Sequence, residues 1–178
     1  MGTVVFDSTF LLLLTDNLAH APSPPAGVLF PGNSSVADVA LDRLNFLLET
    51  LDNARTDVVV PTPVLTELLA SARADVSGTL AVLNGLARIR IEGFGQRAAI
   101  ECADMLRRTG RGTGPKAKVK FDHQIVAIAK VVGAAAVYSD DRDVHRLCEL
   151  EGLPCKGVWD LPPRPVDPQS SLPLDGSE

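Results

Sequence analysis

The chain has no run of about 18 apolar residues, the length that a helix needs to cross a lipid bilayer. No basic segment precedes the apolar residues 10–14, which argues against a signal peptide. The three cysteines, Cys102, Cys148 and Cys155, are odd in number and have no CxxC spacing, so reduced thiols are predicted rather than disulfides or a zinc site. We therefore expect a cytoplasmic protein that makes no membrane contact.

Positive charge is also scarce. The formal net charge is -5 at pH 7, which argues against a protein that coats nucleic acid through its overall charge. Residues 107–120 are a local exception, because they contain several basic residues and no acid. The glycines of this segment predict a loop, which either is simply solvated or contacts the phosphate backbone of a nucleic acid. The candidates for phosphate contact are Arg111, Lys116, Lys118 and Lys120.

A hydrophobic content of 46% in 178 residues is enough for one continuous core. We assign this core to a single domain over residues 1–161. Prolines and glycines interrupt residues 15–35 too often for a helix or a central strand, so a long loop insertion is predicted there. Prolines and small polar residues also dominate residues 162–178, which predicts a disordered C-terminal tail.

Hydrophobic patterning predicts strands that alternate with helices. The predicted strands are 3–6, 58–60, 88–92, 134–138 and 155–159, and the predicted helices are 10–14, 36–51, 63–73, 80–86, 98–106, 121–132 and 144–150. This order indicates an α/β domain whose parallel sheet is covered on both faces. The apolar stripe of helix 36–51 suits either the core or an interface between two copies of the chain.

Acidic residues stand where predicted elements meet. Asp7 ends the first strand, Asp141 ends the fourth, and Asp122 lies in the first turn of an apolar helix. Ligands of open α/β sheets bind beyond the carboxyl ends of the strands, although Asp7 alone also suits a helix N-cap. Two carboxylates about 4 Å apart repel by about 4 kcal/mol at an effective dielectric of 20. A hard divalent ion with oxygen ligands, Mg²⁺ or Mn²⁺, removes that cost.

Four motifs, in this order, resemble the PIN domain, which occurs in VapC-type toxins and in other nucleases. They are VVFDST at the end of the first strand, TPVLTEL after the second strand, an Asp-x-x-Ile-x-x-x-Ala helix that begins its motif at Asp122, and YSDDRD at the end of the fourth strand. The resemblance covers residues 4–159. It implies a PIN-like three-layer α/β/α domain with a central parallel five-stranded sheet.

The resemblance also implies a site. Its catalytic residues would be Asp7, Glu67, Asp122 and Asp141, with Mg²⁺ or Mn²⁺ held by Asp7, Asp122 and Asp141, and with Ser139, Asp140 and Asp143 as additional candidates. Taken alone, Glu67 suits a solvated helix position equally well. The implied activity is metal-dependent hydrolysis of phosphodiester bonds in single-stranded or structured RNA. The implied partners are the RNA substrate, an antitoxin protein and a second copy of the chain.

Two other functions compete with this interpretation. A non-catalytic PIN-like interaction module would use the acidic cluster to bind a metal or a basic partner. A receiver-like phosphoacceptor would need a lysine after the last strand, whereas Lys156 precedes Val158 and Trp159. The position of Lys156 therefore disfavours the phosphoacceptor.

Overall fold

A computed structural model describes residues 2–15, 21–28, 30, 32–72, 75–109 and 116–165, without the side chains of residues 109 and 116–119. The strands are β1 (Thr3–Phe6), β2 (Asp57–Pro61), β3 (Ile89–Glu92), β4 (Ala136–Tyr138) and β5 (Cys155–Lys156). The helices are α1 (Ser8–Thr15), α2 (Val36–Asn53), α3 (Thr62–Ser71), α4 (Val76–Gly85), α5 (Gln96–Thr109), α6 (Lys116–Val131) and α7 (Arg142–Leu150).

All five strands are parallel, in the spatial order β3-β2-β1-β4-β5. The helices cover this sheet in a three-layer α/β arrangement, so the predicted fold class is confirmed. The strand β1 lies at the centre and pairs with β2 on one side and β4 on the other. The strand order reverses between β1 and β4, and a crevice forms at such a switch point beyond the carboxyl ends of the two strands.

The core lies on both sides of the central strands. Val5 and Phe6 of β1 are fully buried, as is Val59 of β2, because a parallel strand covered on two faces has no solvent side. Phe6, Phe10 and Tyr138 form an aromatic cluster with ring centroids 5.3–5.6 Å apart. Phe6 and Tyr138 are the last residues of β1 and β4, so the cluster lies at the carboxyl ends of these two strands.

The stripe on α2 belongs to this core. Its buried members are Ala37, Ala40, Leu44, Leu47 and Leu51. Because these side chains are covered by the rest of the same chain, the stripe is not available as an interface between copies. The helix begins with a capping box in which the Ser35 hydroxyl accepts from the Asp38 N–H and the Asp38 carboxylate accepts from Ser35.

The prediction for α6 is wrong at its start. The helix begins at Lys116 rather than at residue 121, so Asp122 lies in its second turn and not in its first. Lysine and alanine are good helix formers, and the segment after the glycines is helical even though it lacks an apolar stripe. The helix ends at Val131, one residue earlier than predicted, and Gly133 just beyond it has a φ of 65°, the left-handed conformation that glycine favours.

The prediction of a loop over residues 107–120 is wrong at both ends. Arg107 and Arg108 belong to α5, and Lys116, Lys118 and Lys120 belong to α6. The Lys120 side chain is exposed. Arg111 lies outside the described residues, as do the side chains of Lys116 and Lys118.

The last strand is shorter than predicted. After the two residues of β5, Val158–Asp160 forms a 3₁₀ helix. Side chains supply the acceptors that a strand would have found in its neighbour. The Val158 N–H donates to Asp140 Oδ1 at 2.9 Å, and the Gly157 N–H donates to Asp160 Oδ2 at 2.8 Å.

Trp159 anchors two irregular parts of the chain. Its indole N–H donates to the Pro22 carbonyl at 3.0 Å, and its ring meets Phe30 edge to face, so part of the proline-rich insertion packs here. Arg43 of α2 lies over the Trp159 ring and donates to the Trp159 and Leu161 carbonyls.

Arg164, which the sequence assigned to the tail, is ion-paired with Asp42 and Glu49 of α2. Residues 166–178 of that tail lie outside the described residues.

No helix in the described ranges is both long and apolar enough to cross a bilayer.

Candidate active site

Asp7 is the centre of the candidate site. It follows β1 directly, its backbone N–H donates to the Tyr138 carbonyl of β4 at 3.0 Å, and its side chain is only 3% exposed. The carboxylate accepts hydrogen bonds from the Ser8 N–H at 2.7 Å and from the Ser139 hydroxyl at 2.6 Å. The end of the central strand and the turn after β4 therefore fix one carboxylate at the switch point of the sheet.

The turn after β4 forms the other wall of the site. Besides donating to Asp7, the Ser139 hydroxyl accepts from the Asp141 N–H at 3.0 Å. The Thr9 hydroxyl of α1 accepts from the Asp140 N–H at 3.0 Å. Two hydroxyls thus connect the segment after β1 to the segment after β4, and they orient Asp7 and Asp141 relative to each other.

Two more predicted acids lie within electrostatic reach of Asp7. Burial raises the pKa of Asp7 above its ordinary value, the bonds from Ser139 and Ser8 oppose this, and the negative charges of Glu67 and Asp141 raise the pKa further. Glu67 is half-buried on α3, which packs against α1. Glu67 and Asp141 therefore both lie within electrostatic reach of Asp7, and their membership of one site remains a prediction.

Asp141 also serves as the N-cap of α7. Its Oδ1 accepts from the Asp143 N–H at 2.7 Å, which holds the carboxylate at the start of the helix. Its half-buried side chain is thereby fixed at the rim of the crevice rather than left to rotate in solvent.

Asp122 is placed by α6, which packs against α3, α7 and β4. Its side chain is 6% exposed, and the next residue, His123, is also buried. An acid this deeply buried is normally paired, because acids are almost never fully buried without a partner. Its membership of the site remains a prediction.

The additional candidates divide between the two sides of the turn. Ser139 belongs to the site through its bond to Asp7. Asp140 points the other way, and its carboxylate accepts from the Val158 N–H. Burial raises the pKa of Asp140, against the lowering effect of that bond and of His145. Asp143 is exposed in the first turn of α7.

Sequence reasoning did not single out Thr9 or His145. Thr9 stands two residues after Asp7, in the same motif, and its short hydroxyl reaches across to the turn after β4. His145 donates from Nε2 to the Ser139 carbonyl at 2.6 Å and so supports the turn from its far side. The motif pointed to the position of Thr9, but only the packing of α1 and α7 shows what these two side chains contact.

Within the described residues, no group of three or more His, Cys, Asp or Glu side chains converges closely enough to enclose a metal ion. This arrangement still suits a hard cation. Mg²⁺ keeps several water ligands and is usually bound through only one or two carboxylates. The donors gathered near Asp7 are oxygen atoms, which Mg²⁺ and Mn²⁺ prefer.

Solved structures from three bacteria are similar to this chain in fold. A chain of DNA-bound VapBC from Salmonella typhimurium matches at a TM-score of 0.58 with 18% identity, over 89% of this chain and 99% of that one. A chain of VapBC2 from Rickettsia felis, bound to a fragment of its promoter DNA, matches at 0.57 with 14% identity, over 87% and 98%. A chain of VapBC-1 from nontypeable Haemophilus influenzae matches at 0.50 with 13% identity, over 88% and 98%.

No curated protein matches this sequence closely enough to be informative. The sequence model of the PIN domain matches residues 38–150, which include Glu67, Asp122 and Asp141. Asp7 lies before the matched range, and the sheet places it beside Asp141 all the same. Because the match spans more than half of the chain and the fold agrees, the chain belongs to the PIN domain family.

Proposed function

We propose that this protein is a metal-dependent endoribonuclease that hydrolyses phosphodiester bonds in RNA. The observation that supports this most is the environment of Asp7. The Asp7 carboxylate is only 3% exposed, lies at the switch point of a parallel sheet, and is repelled by the negative charges of Glu67 and Asp141. A protein keeps such a costly arrangement where a cation or a reacting group offsets it.

The chain's own residues would divide the work. Asp7, Asp122 and Asp141 would hold Mg²⁺ or Mn²⁺ directly or through water, and Glu67 would complete the shell of carboxylates. The ion, when bound, supplies positive charge that favours deprotonation of water and neutralises charge on the phosphate oxygens. The Ser139 and Thr9 hydroxyls hold Asp7 and Asp141 in a fixed orientation relative to each other. The site would therefore need no reorganisation during the reaction.

We propose that basic residues at the start of α6 and just before it guide the substrate. Lys120 is exposed on α6, two residues before Asp122, and Arg111, Lys116 and Lys118 are proposed to act with it. Contacts of this kind read the phosphate backbone rather than the bases, so RNA binding should weaken steeply as salt rises.

The similar structures also suggest a partner. They are structures of VapBC complexes, two of them bound to DNA. We extend this to the present chain as a toxin neutralised by an antitoxin protein, and we expect a homodimer. Co-expression with the protein encoded by the adjacent gene tests the first point, because a true antitoxin co-purifies and suppresses cleavage.

The decisive experiment is cleavage of a mixed single-stranded RNA by purified protein in Mn²⁺, Mg²⁺ or EDTA. Asp122→Asn should reduce cleavage by 100-fold or more while the far-ultraviolet circular dichroism spectrum is unchanged. Asp104→Asn is the matched control, since this carboxylate on α5 pairs with Arg107 at the surface. Metal-independent cleavage, or full activity in folded Asp122→Asn protein, would exclude the proposal. A folded wild type that binds metal but cuts nothing would instead favour the interaction module.

A further inference from the structure

A second cavity lies directly behind the turn that carries Asp141. It has a volume of about 720 Å³, and its walls come from α7, β5 and the 3₁₀ helix. A cavity of this size suits a ligand as large as a nucleotide. Its lining includes Asp140, Arg142, His145, Arg146, Trp159 and Asp160.

The cavity and the proposed active site share one wall. Residues 139–141 form that wall, since the Ser139 hydroxyl faces Asp7 whereas the Ser139 carbonyl accepts from His145 of the cavity. Asp141 belongs to the site and the adjacent Asp140 lines the cavity. A nucleic acid strand with one phosphate in the site could therefore place its next nucleotide in the cavity.

The cavity is lined by charges of both signs, and two guanidinium groups lie side by side on one of its walls. Arg142 and Arg146 are exposed one turn apart on α7, and neither forms an ion pair with another described residue. The carboxylates of Asp140 and Asp160 are already engaged by the Val158 and Gly157 N–H groups. Exposed Glu149 also lines the cavity, and it is the carboxylate of the three that accepts no backbone N–H in the described part of the chain.

Trp159 adds an aromatic surface that is held in place. Its N–H is bonded to the Pro22 carbonyl, and the Arg43 guanidinium lies 5.3 Å from the ring centroid. The ring is half-buried and still lines the cavity. Nucleic acid bases stack on such fixed aromatic rings with little dependence on sequence.

We propose that this cavity binds a nucleotide of the RNA strand next to the scissile phosphate, with its phosphate on Arg142 and Arg146 and its base on Trp159. This assignment rests on the proposed ribonuclease function. It is supported by two adjacent guanidinium groups and an oriented indole. These groups lie on the opposite side of residues 139–141 from the carboxylates of the proposed active site.

Trp159 is the only tryptophan of the chain, so its fluorescence reports on the cavity directly. A single-stranded RNA hexamer titrated in EDTA should quench this fluorescence to saturation without being cut. The double variant Arg142→Gln/Arg146→Gln should bind the hexamer about tenfold or more weakly. Its plot of log affinity against log salt should lose about 1.4 units of slope for two phosphate contacts. The charge-matched control Arg55→Gln/Arg97→Gln alters two exposed arginines outside the cavity and should bind like the wild type.

The outcomes separate this proposal from the activity on which it rests. Quenching that the double variant weakens, in a protein that never cuts RNA, would support the cavity and refute the nuclease. Metal-dependent cleavage with no quenching by RNA, and with an unchanged KM in the double variant, would overturn the cavity and leave the nuclease standing. Equal quenching by a polyglutamate peptide of the same charge would overturn the nucleotide assignment, since it would show only a general preference for anions.

Discussion

The Asp7 carboxylate lies in surroundings that disfavour its charge. Burial raises the pKa of Asp7, and the charges of Glu67 and Asp141 add to the shift. A folded-state pKa above the unfolded value means that the native protein holds the proton longer, so stability falls as pH rises through this interval. The proposed metal would offset this loss, and without metal it should be measurable.

Asp7→Asn should therefore stabilise the metal-free protein. The amide oxygen can still accept from the Ser8 N–H, and the amide NH₂ that replaces the second oxygen can donate to the Ser139 hydroxyl, while the buried charge and its repulsion disappear. We expect the free energy of unfolding at pH 7 in EDTA to rise by about 1 kcal/mol. The gain should shrink as pH falls below the raised pKa, where wild-type Asp7 is also neutral. Urea denaturation at several pH values measures it, and a loss of stability at pH 7 would contradict this view of Asp7.

A substitution at Ser139 tests how the orientation of the Asp7 carboxylate, rather than its charge, contributes to the site. Ser139→Ala removes the hydroxyl that donates to Asp7 and accepts from the Asp141 N–H. We expect metal affinity or cleavage to fall by about 10- to 100-fold, the usual effect of losing a group that orients a ligand. Ser8→Ala is the matched control, because its main contact with Asp7 is through the backbone N–H, which alanine retains. Equal losses in the two variants would show that the Ser139 bond has no special role.

At the scale of elements, one buried glutamate joins three helices. Glu151, just after α7, bonds Arg108 of α5 at 2.8 Å and Lys130 of α6 at 2.5 Å. The side chain of Glu151 is only 6% exposed, and Lys130 also bonds Glu101 of α5. Burial alone would raise the pKa of Glu151, but the bonds from Lys130 and Arg108 outweigh it, so the pKa is lowered. This cluster holds together the helices that carry Asp122 and Asp141.

Glu151→Gln should destabilise the protein by about 1–2 kcal/mol at pH 7, because the bonds from Lys130 and Arg108 then meet a neutral amide and lose their charge assistance. A lowered folded-state pKa contributes stability above the unfolded value, and this contribution is lost as pH falls through the folded value. The difference from wild type should therefore shrink in acid, below about pH 4. Glu149→Gln, an exposed change on α7, is the control. Thermal unfolding at pH 7 and in acid decides the point, and a constant difference would show that the charge is not responsible.

Some of these elements were predictable from local pattern, and others were not. Strand β1 and the end of α6 just before Gly133 were predicted from the sequence, because apolar runs and glycine indicate local conformation. The start of α6 was missed since its first turns lack an apolar stripe. The contacts of Trp159 with Pro22 and Arg43 join residues more than 110 positions apart, and no local pattern indicates them.

At the scale of the whole molecule, topology explains how much of the site was predictable. Asp7 and Asp141 each follow a strand, and parallel neighbours place their carboxyl ends at one edge, so their proximity follows from the strand order. Glu67 had no such signal, and only the family resemblance distinguished it from a solvated helix residue. Its effect on the Asp7 pKa comes from the packing of α3 against α1.

Metal binding should register in the stability of the whole domain. An ion that binds only the native state adds about 2.7 kcal/mol at 100 times its dissociation constant, or roughly 5–10 °C in Tm for a domain of this size. Wild-type protein should gain this in Mn²⁺, whereas Asp7→Asn, already stabilised without metal, should gain much less. Calorimetry in Mn²⁺ and in EDTA provides the comparison. Equal gains in both proteins would place the ion elsewhere, because a site built around Asp7 cannot keep its affinity when that charge is removed.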